Sequence, residues 1–214
     1  GGSFSGCFRT GHLGHYSFRH TPVGRGFDTF FGFLLGSETH DTHNSWGKHT
    51  CNYGVTDLWN STVKANESIH FKNLTYSAEM YGMEMARLVH SHAARMDAAA
   101  TPFFLYMAFQ NNHAPFTKVP LYDDRFPKIQ AGSMKQVYNG NMAAVDDAIG
   151  SLAGALAANA AIFGGKTVVV FSQDNGGPAK SANNLPLRGA KFGIFEGGVR
   201  SFSFVWGPGV LPSN

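Results

Sequence analysis

Residues 102–109 read Pro-Phe-Phe-Leu-Tyr-Met-Ala-Phe, a nearly continuous apolar run of the kind expected for a strand buried on both faces of a parallel sheet. It precedes the strongest periodic signal in the chain. Tyr138, Met142, Val145, Ile149, Leu152 and Leu156 recur at alternating intervals of four and three, so one face of a long helix must be covered. Gly164-Gly165 punctuates its end. Thr167-Val168-Val169-Val170-Phe171 then reads as a second buried strand, and Phe202-Ser203-Phe204-Val205-Trp206 as a third. Strand, long helix, strand is the pattern of a right-handed crossover unit. The expected class is therefore α/β, with a mixed, mostly parallel sheet flanked by helices. A further helix is predicted from Thr75 to about Met96, with Met80, Met83, Leu88 and Met96 on one face. Residues 1 to about 74, apart from the apolar run Thr29–Leu35, read as connected loops with short elements.

Composition narrows the function classes. The 214 residues suit one ordinary domain or a piece of a larger one, and the opening Gly1-Gly2 reads as a cut from something longer. Charged residues are 14% of the chain and aromatics 14%, the opposite of a disordered composition. A formal charge of +3 is too small and too scattered to indicate a nucleic-acid partner. No apolar run is long enough to predict a membrane span, and no basic start with an apolar stretch marks a signal peptide. Three N-x-S/T sequons begin at Asn60, Asn66 and Asn73 within a polar stretch. They point to a glycosylated surface and hence to a secretory, lysosomal or secreted protein, unless an Asn/Ser/Thr-rich loop produced them by coincidence. Cys7 and Cys51 permit one disulfide or two thiols with partners elsewhere.

In parallel sheets ligands collect beyond the carboxyl ends of the strands. There the chain reads Gln110-Asn111-Asn112-His113-Ala114-Pro115 after the first strand and Ser172-Gln173-Asp174-Asn175-Gly176-Gly177 after the second. Asp174 and Asn175 offer hard oxygen donors suited to Ca²⁺ or Mg²⁺, although Asp-Asn-Gly-Gly is also good turn chemistry. His113 is either a proton donor and anion contact or a loop residue bonded to backbone. Arg188, Lys191 and Arg200 stand among glycines, which suits either an oxyanion or a solvated surface. No phosphate-binding glycine loop and no GxSxG are present.

As an ordered set these segments are specific. Thr21-Pro22-Val23-Gly24-Arg25-Gly26-Phe27-Asp28-Thr29-Phe30-Phe31-Gly32 resembles the RGFD segment of arylsulfatases, as does Leu105–Pro115. Met142–Gly150, Phe171–Gly177, Leu187–Lys191 and Phe195–Arg200 follow in the family's order. The chain thus resembles a sulfatase of the arylsulfatase B, I and J kind, within the alkaline-phosphatase superfamily, from about Gly11 to Pro212. The resemblance implies a single partial catalytic domain over residues 1–214, acting on sulfate esters such as aryl sulfates or sulfated glycans. It implies that Asp174 and Asn175 are two calcium ligands and that His113 contacts the sulfate. Lys191 would hold the oxygen between sulfur and the leaving alcohol. His12, in Gly11-His12-Leu13-Gly14, would assist the nucleophile, which in the family is a formylglycine made from cysteine.

The chain also departs from that pattern. Neither Cys7-Phe8-Arg9 nor Cys51-Asn52-Tyr53 fits the family's C-x-P/A-S-x-R motif, so the nucleophile is expected upstream. Thr10 stands where a sulfate-binding lysine belongs, and the family's first strand with two further calcium-binding aspartates has no counterpart. The expectation is an enzyme fragment without turnover of its own, with a truncated glycoprotein that only binds sulfated glycans as the alternative. An open hydrophobic sheet edge is expected too.

Overall fold

The computed structural model describes residues 4–10, 13–36, 38–45, 55–62, 66–68 and 75–212. Its elements run β1 (Phe4–Thr10), β2 (Thr29–Phe33), β3 (Asn44–Ser45), β4 (Val55–Thr56), β5 (Trp59–Thr62), β6 (Asn66–Ser68), α1 (Ser77–Ala93), β7 (Phe103–Met107), α2 (Pro120–Asp123), α3 (Met134–Ala158), α4 (Ala160–Phe163), β8 (Val169–Ser172), α5 (Glu196–Val199) and β9 (Ser203–Trp206). Two compact units emerge: Gly1–Thr117 with Asn141–Ala155, and Lys118–Gly140 with Leu156–Asn214.

The first unit holds a five-stranded sheet in the order β6-β5-β2-β1-β7. β7, β1 and β2 run parallel, with Cys7 opposite both Tyr106 and Phe30, while β5 and β6 are antiparallel additions. The class is the expected one, a mixed, mostly parallel sheet with flanking helices. Its central strand is not where the apolar run pointed. β2 is the strand buried on both faces: Phe31 joins Leu58, Met80, Tyr81, Met85 and Leu88 on one side, and Phe30 joins Val23 and Leu34 on the other. β7 sits at the sheet edge and alternates, leaving Phe104 55% and Tyr106 41% exposed. β2 falls within the apolar run Thr29–Leu35 set apart in the sequence, whereas β1 lies in the stretch that reads as loop.

The Arg-Gly-Phe-Asp segment turns out to organise this sheet. Arg25 donates from Nε to the His20 carbonyl (2.9 Å) and from Nη2 to that of Leu13 (3.0 Å). Gly26 has φ 107°, a left-handed conformation in which a side chain would be strained. Phe27 stacks on Phe104 at 6.2 Å, and the Asp28 carboxylate accepts from the backbone N–H (2.7 Å) and hydroxyl (2.9 Å) of Ser5. Asp28 therefore fixes the register at which β2 enters beside β1.

α1 covers one face. Its buried stripe is Tyr81, Met85, Leu88, Val89 and His92 with Met80, whereas Met83 and Met96 are exposed, a correction to the expected face. Gly82 lets α3 approach closely, since a Cβ there would lie 2.9 Å from the Ala148 Cα. Along α3 the buried apolar residues are small, Ala144, Ala148 and Ala155 with Val137 and Val145, and the larger members of the expected seam are half-buried.

In the second unit β8 pairs antiparallel with β9, Val169 opposite Trp206 and Phe171 opposite Phe204. This corrects the reading of β7, α3 and β8 as one crossover unit within a single sheet. Both strands keep exposed apolar side chains, among them Val170, Val205 and Trp206. α3 begins with Ser133, whose Oγ accepts from the Gln136 N–H (3.2 Å), while the Gln136 side chain accepts from the Gly132 N–H (2.7 Å). Among the described residues no helix is long and apolar enough to cross a membrane.

Candidate functional site

The loop after β8 is built against the segment 188–198. The Gly176 N–H donates to the Gly198 carbonyl (3.0 Å), Gly197 N–H to the Arg188 carbonyl (2.7 Å), and Lys191 N–H to the Gly177 carbonyl (3.1 Å). A Cβ on Gly176 would run into the Gly197 carbonyl, so glycine at both positions is what permits the approach. Asn184 secures the same turn, with Oδ1 accepting from the Gly177 N–H (2.9 Å) and Nδ2 donating to the Gly177 carbonyl (2.8 Å). Asp174, Asn175 and Lys191 are thus carried on two loops locked by backbone hydrogen bonds within the second unit.

Their side chains are accessible. Asp174 is exposed and Asn175 half-buried. Asn175 turns its amide N–H onto the Gly176 carbonyl (2.9 Å), which leaves Oδ1 as its side-chain acceptor. This donor pair fits a hard divalent cation by chemistry, since carboxylate and amide oxygens are the usual ligands of Ca²⁺. Calcium takes six to eight oxygens, and among the described residues no group of three or more His, Cys, Asp and Glu could hold a metal. The remaining ligands would have to come from outside this set. Lys191 places its ammonium 5.5 Å from the centre of the Phe192 ring, and Arg188 its guanidinium 4.0 Å from that of Phe195. Phe192 is 97% exposed and has φ 76°, a conformation that a bulky residue keeps only when its surroundings impose it. Arg200 is exposed and stands 4.0 Å from Glu196.

His113 belongs to the first unit, on the loop after β7. The ring is exposed and its Nδ1 lies 2.8 Å from the Ala114 carbonyl, so Nδ1 donates there and Nε2 takes no part in that bond. Behind it the loop is held by a buried polar layer that sequence reading did not single out. Gln110 donates to the Glu38 carbonyl (2.5 Å). Asn111 donates to the Tyr76 hydroxyl (2.8 Å) and the Asn141 carbonyl (2.8 Å). His40 reaches the His113 carbonyl (3.1 Å). The one signal for this layer was Glu38-Thr39-His40, an ionisable cluster in a chain poor in charge. Desolvation pushes the Glu38 carboxyl up to about 7 and the His40 imidazole down to about 4.

His12 lies outside the described residues, as do Cys51 and Asn73. Asn60 and Asn66 fall in β5 and β6 rather than in a loop, and Asn60 is half-buried.

Comparison with known proteins gives the chemistry its context. The Sulfatase family model matches residues 5–214. The chain belongs to the sulfatase family. Mouse arylsulfatase J is 33% identical over 92% of this chain, and pig N-acetylgalactosamine-6-sulfatase 26% identical over 95%. The aligned parts are 31% and 37% of those proteins, so the chain spans about a third of the curated relatives it matches. Among solved structures, Ps i-CgsB superposes with a TM-score of 0.80 at 26% identity, over 98% of this chain and 46% of its own. The same protein in complex with k-i-k-neocarrahexaose gives 0.78. The sulfatase family comprises sulfuric ester hydrolases, the reaction class that the resemblance of the motifs implied.

Proposed function

We propose that this chain is the middle of a sulfatase catalytic domain, acting on a sulfate ester of a sugar or an aryl alcohol. The observation that carries the reading is the backbone lock between the Asp174-Asn175-Gly176-Gly177 turn and Lys191, which fixes oxygen donors and a cation on one rigid loop pair. Within the family reading, Asp174 and Asn175 hold calcium, which neutralises charge on the sulfate oxygens. Lys191 donates to the oxygen bridging sulfur and the alcohol, and favours its departure as charge builds there. His113 presents its ring to a non-bridging oxygen, and His12 assists the nucleophile. A sulfated carbohydrate is the favoured substrate class, because one relative is named for a sulfated amino sugar's position and a structural neighbour holds a neocarrahexaose. The sequons at Asn60, Asn66 and Asn73 fit a lysosomal or secreted glycoprotein.

The 214 residues contain no C-x-P/A-S-x-R motif, so positioning groups are present without the group that attacks sulfur. The expected result is binding without turnover. Pure chain incubated with nitrocatechol sulfate and calcium should release no nitrocatechol, and calcium-dependent release would overturn this part of the reading. Binding should be measurable by titration calorimetry. His113→Ala and Lys191→Ala are each expected to weaken it about tenfold, the scale of one hydrogen bond to a charged group. Unchanged affinity in both variants would remove the sulfate site from these residues.

A further inference from the structure

His40 is wholly buried, yet nothing in the proposed chemistry employs it. Three elements meet on this one residue. Its carbonyl accepts the Ser77 N–H (2.8 Å), an otherwise orphaned donor at the start of α1, whose N-cap Tyr76 makes no side-chain cap. Its ring Nδ1 pairs with the Ser77 hydroxyl at 3.0 Å, and its face stacks on Tyr76 at 5.4 Å. Its Nε2 lies 3.1 Å from the His113 carbonyl. A carbonyl only accepts, so Nε2 bears the proton, and in the neutral ring the Ser77 hydroxyl then donates to Nδ1. One tautomer satisfies every polar atom. Burial favours that neutral ring by holding its titration down near 4.

We propose that His40 is a positioning residue: it anchors the His113 carbonyl to the start of α1 and so aims the exposed imidazole of His113. Its functional side rests on the reading of His113 as a sulfate contact. The neighbouring bonds tie other residues of the loop. Gln110 and Asn111 are tied to Glu38, Tyr76 and Asn141, whereas His113 makes its remaining backbone bond to Gln110 inside the same loop. His40 ties the His113 residue itself to the start of α1.

The test is nuclear magnetic resonance on isotope-labelled 214-residue chain, with calorimetric titration of nitrocatechol sulfate in parallel. His40→Ala removes the donor, and His40→Gln keeps an N–H at nearly the same reach. In the parent chain a scalar coupling across the His40 Nε2–His113 carbonyl bond is expected. His40→Ala should shift the His113 carbonyl and ring resonances, spare those of β2, and weaken sulfate-ester binding about tenfold; His40→Gln should restore both to within twofold. A merely structural histidine would lower stability and leave the His113 signals in place, and that outcome overturns the proposal. So does a folded His40→Gln that behaves like His40→Ala. If His40→Ala does not fold, Ser77→Ala removes the hydroxyl that fixes the tautomer. The same His113 signals must then move, and their constancy counts against the proposal. Should the parent chain bind no sulfate ester, or His113→Ala bind as well as the parent, the sulfate reading fails alone. The His113 resonances then still decide whether His40 positions that loop.

Discussion

Glu38 and His40 are separated by one residue, are both withdrawn from water, and titrate in opposite senses. Glu38 faces His43 at 3.5 Å and lies in the field of Asp57, with the buried Tyr81 on α1 close enough to be perturbed by it. Its carboxyl rises from 4.5 to about 7 because burial outweighs His43, so its folded form binds the proton more tightly than the unfolded chain does. That contribution to stability is complete below pH 4.5 and is lost as pH climbs through 7. His40, in the fields of Asp41, His43 and His113, falls from 6.5 to about 4, so its contribution is complete above pH 6.5 and is lost on acidification through 4. Relative to the parent chain, Glu38→Gln should therefore gain stability as pH rises from 4.5 to 7, by up to about 3 kcal/mol. His40→Gln should gain by a similar amount as pH falls from 6.5 to 4. Urea midpoints at half-unit pH steps check both, and parallel profiles for parent and variants would refute the assignment. The sequence displayed Asp174, Asn175, His113 and Lys191 because strand ends and glycines flag them. It hid Glu38, His40 and Tyr76, whose roles depend on partners 35 to 73 positions away.

At the scale of elements, α1 and α3 cross where Gly82 meets Ala148. Gly82→Ala would place a methyl 2.9 Å from the Ala148 Cα and 3.1 Å from its Cβ, and backbone on both sides prevents either from yielding. We expect a loss of about 1–3 kcal/mol, since overpacking here outweighs the better helix propensity of alanine. An equilibrium denaturation curve no weaker than the parent's would show that the crossing is looser than described. Helices were the legible elements, because α1 and α3 are long enough for a 3.6-residue period to repeat. Strands were less so. β1 and β2 owe their central place to pairing with distant segments rather than to local pattern, and β7 looked central because its exposed Phe104 and Tyr106 are apolar. The antiparallel pairing of β8 with β9 has no local signature either, since an apolar run of four or five residues carries no direction.

For the molecule as a whole, apolar surface is unevenly covered. Among the described residues β7 pairs only with β1 and keeps Phe104 and Tyr106 exposed, while β8 and β9 leave Val170 and Val205 to solvent. An unpaired, flat, apolar strand edge recruits other chains. Size-exclusion chromatography with light scattering should find concentration-dependent self-association, and Phe104→Lys combined with Val170→Lys should suppress it; a clean monomer at all concentrations would contradict this. The pairing of β1 with β7 has a second outcome, which concerns manufacture rather than the finished product. Phe4 finds its ladder partner only at Phe103. At a ribosomal pace of about 5–20 residues per second, the side of β1 turned away from β2 waits several seconds before β7, its partner there, has been made. Ribosome-bound chains shorter than β7 are therefore where this sheet is most open to wrong pairing.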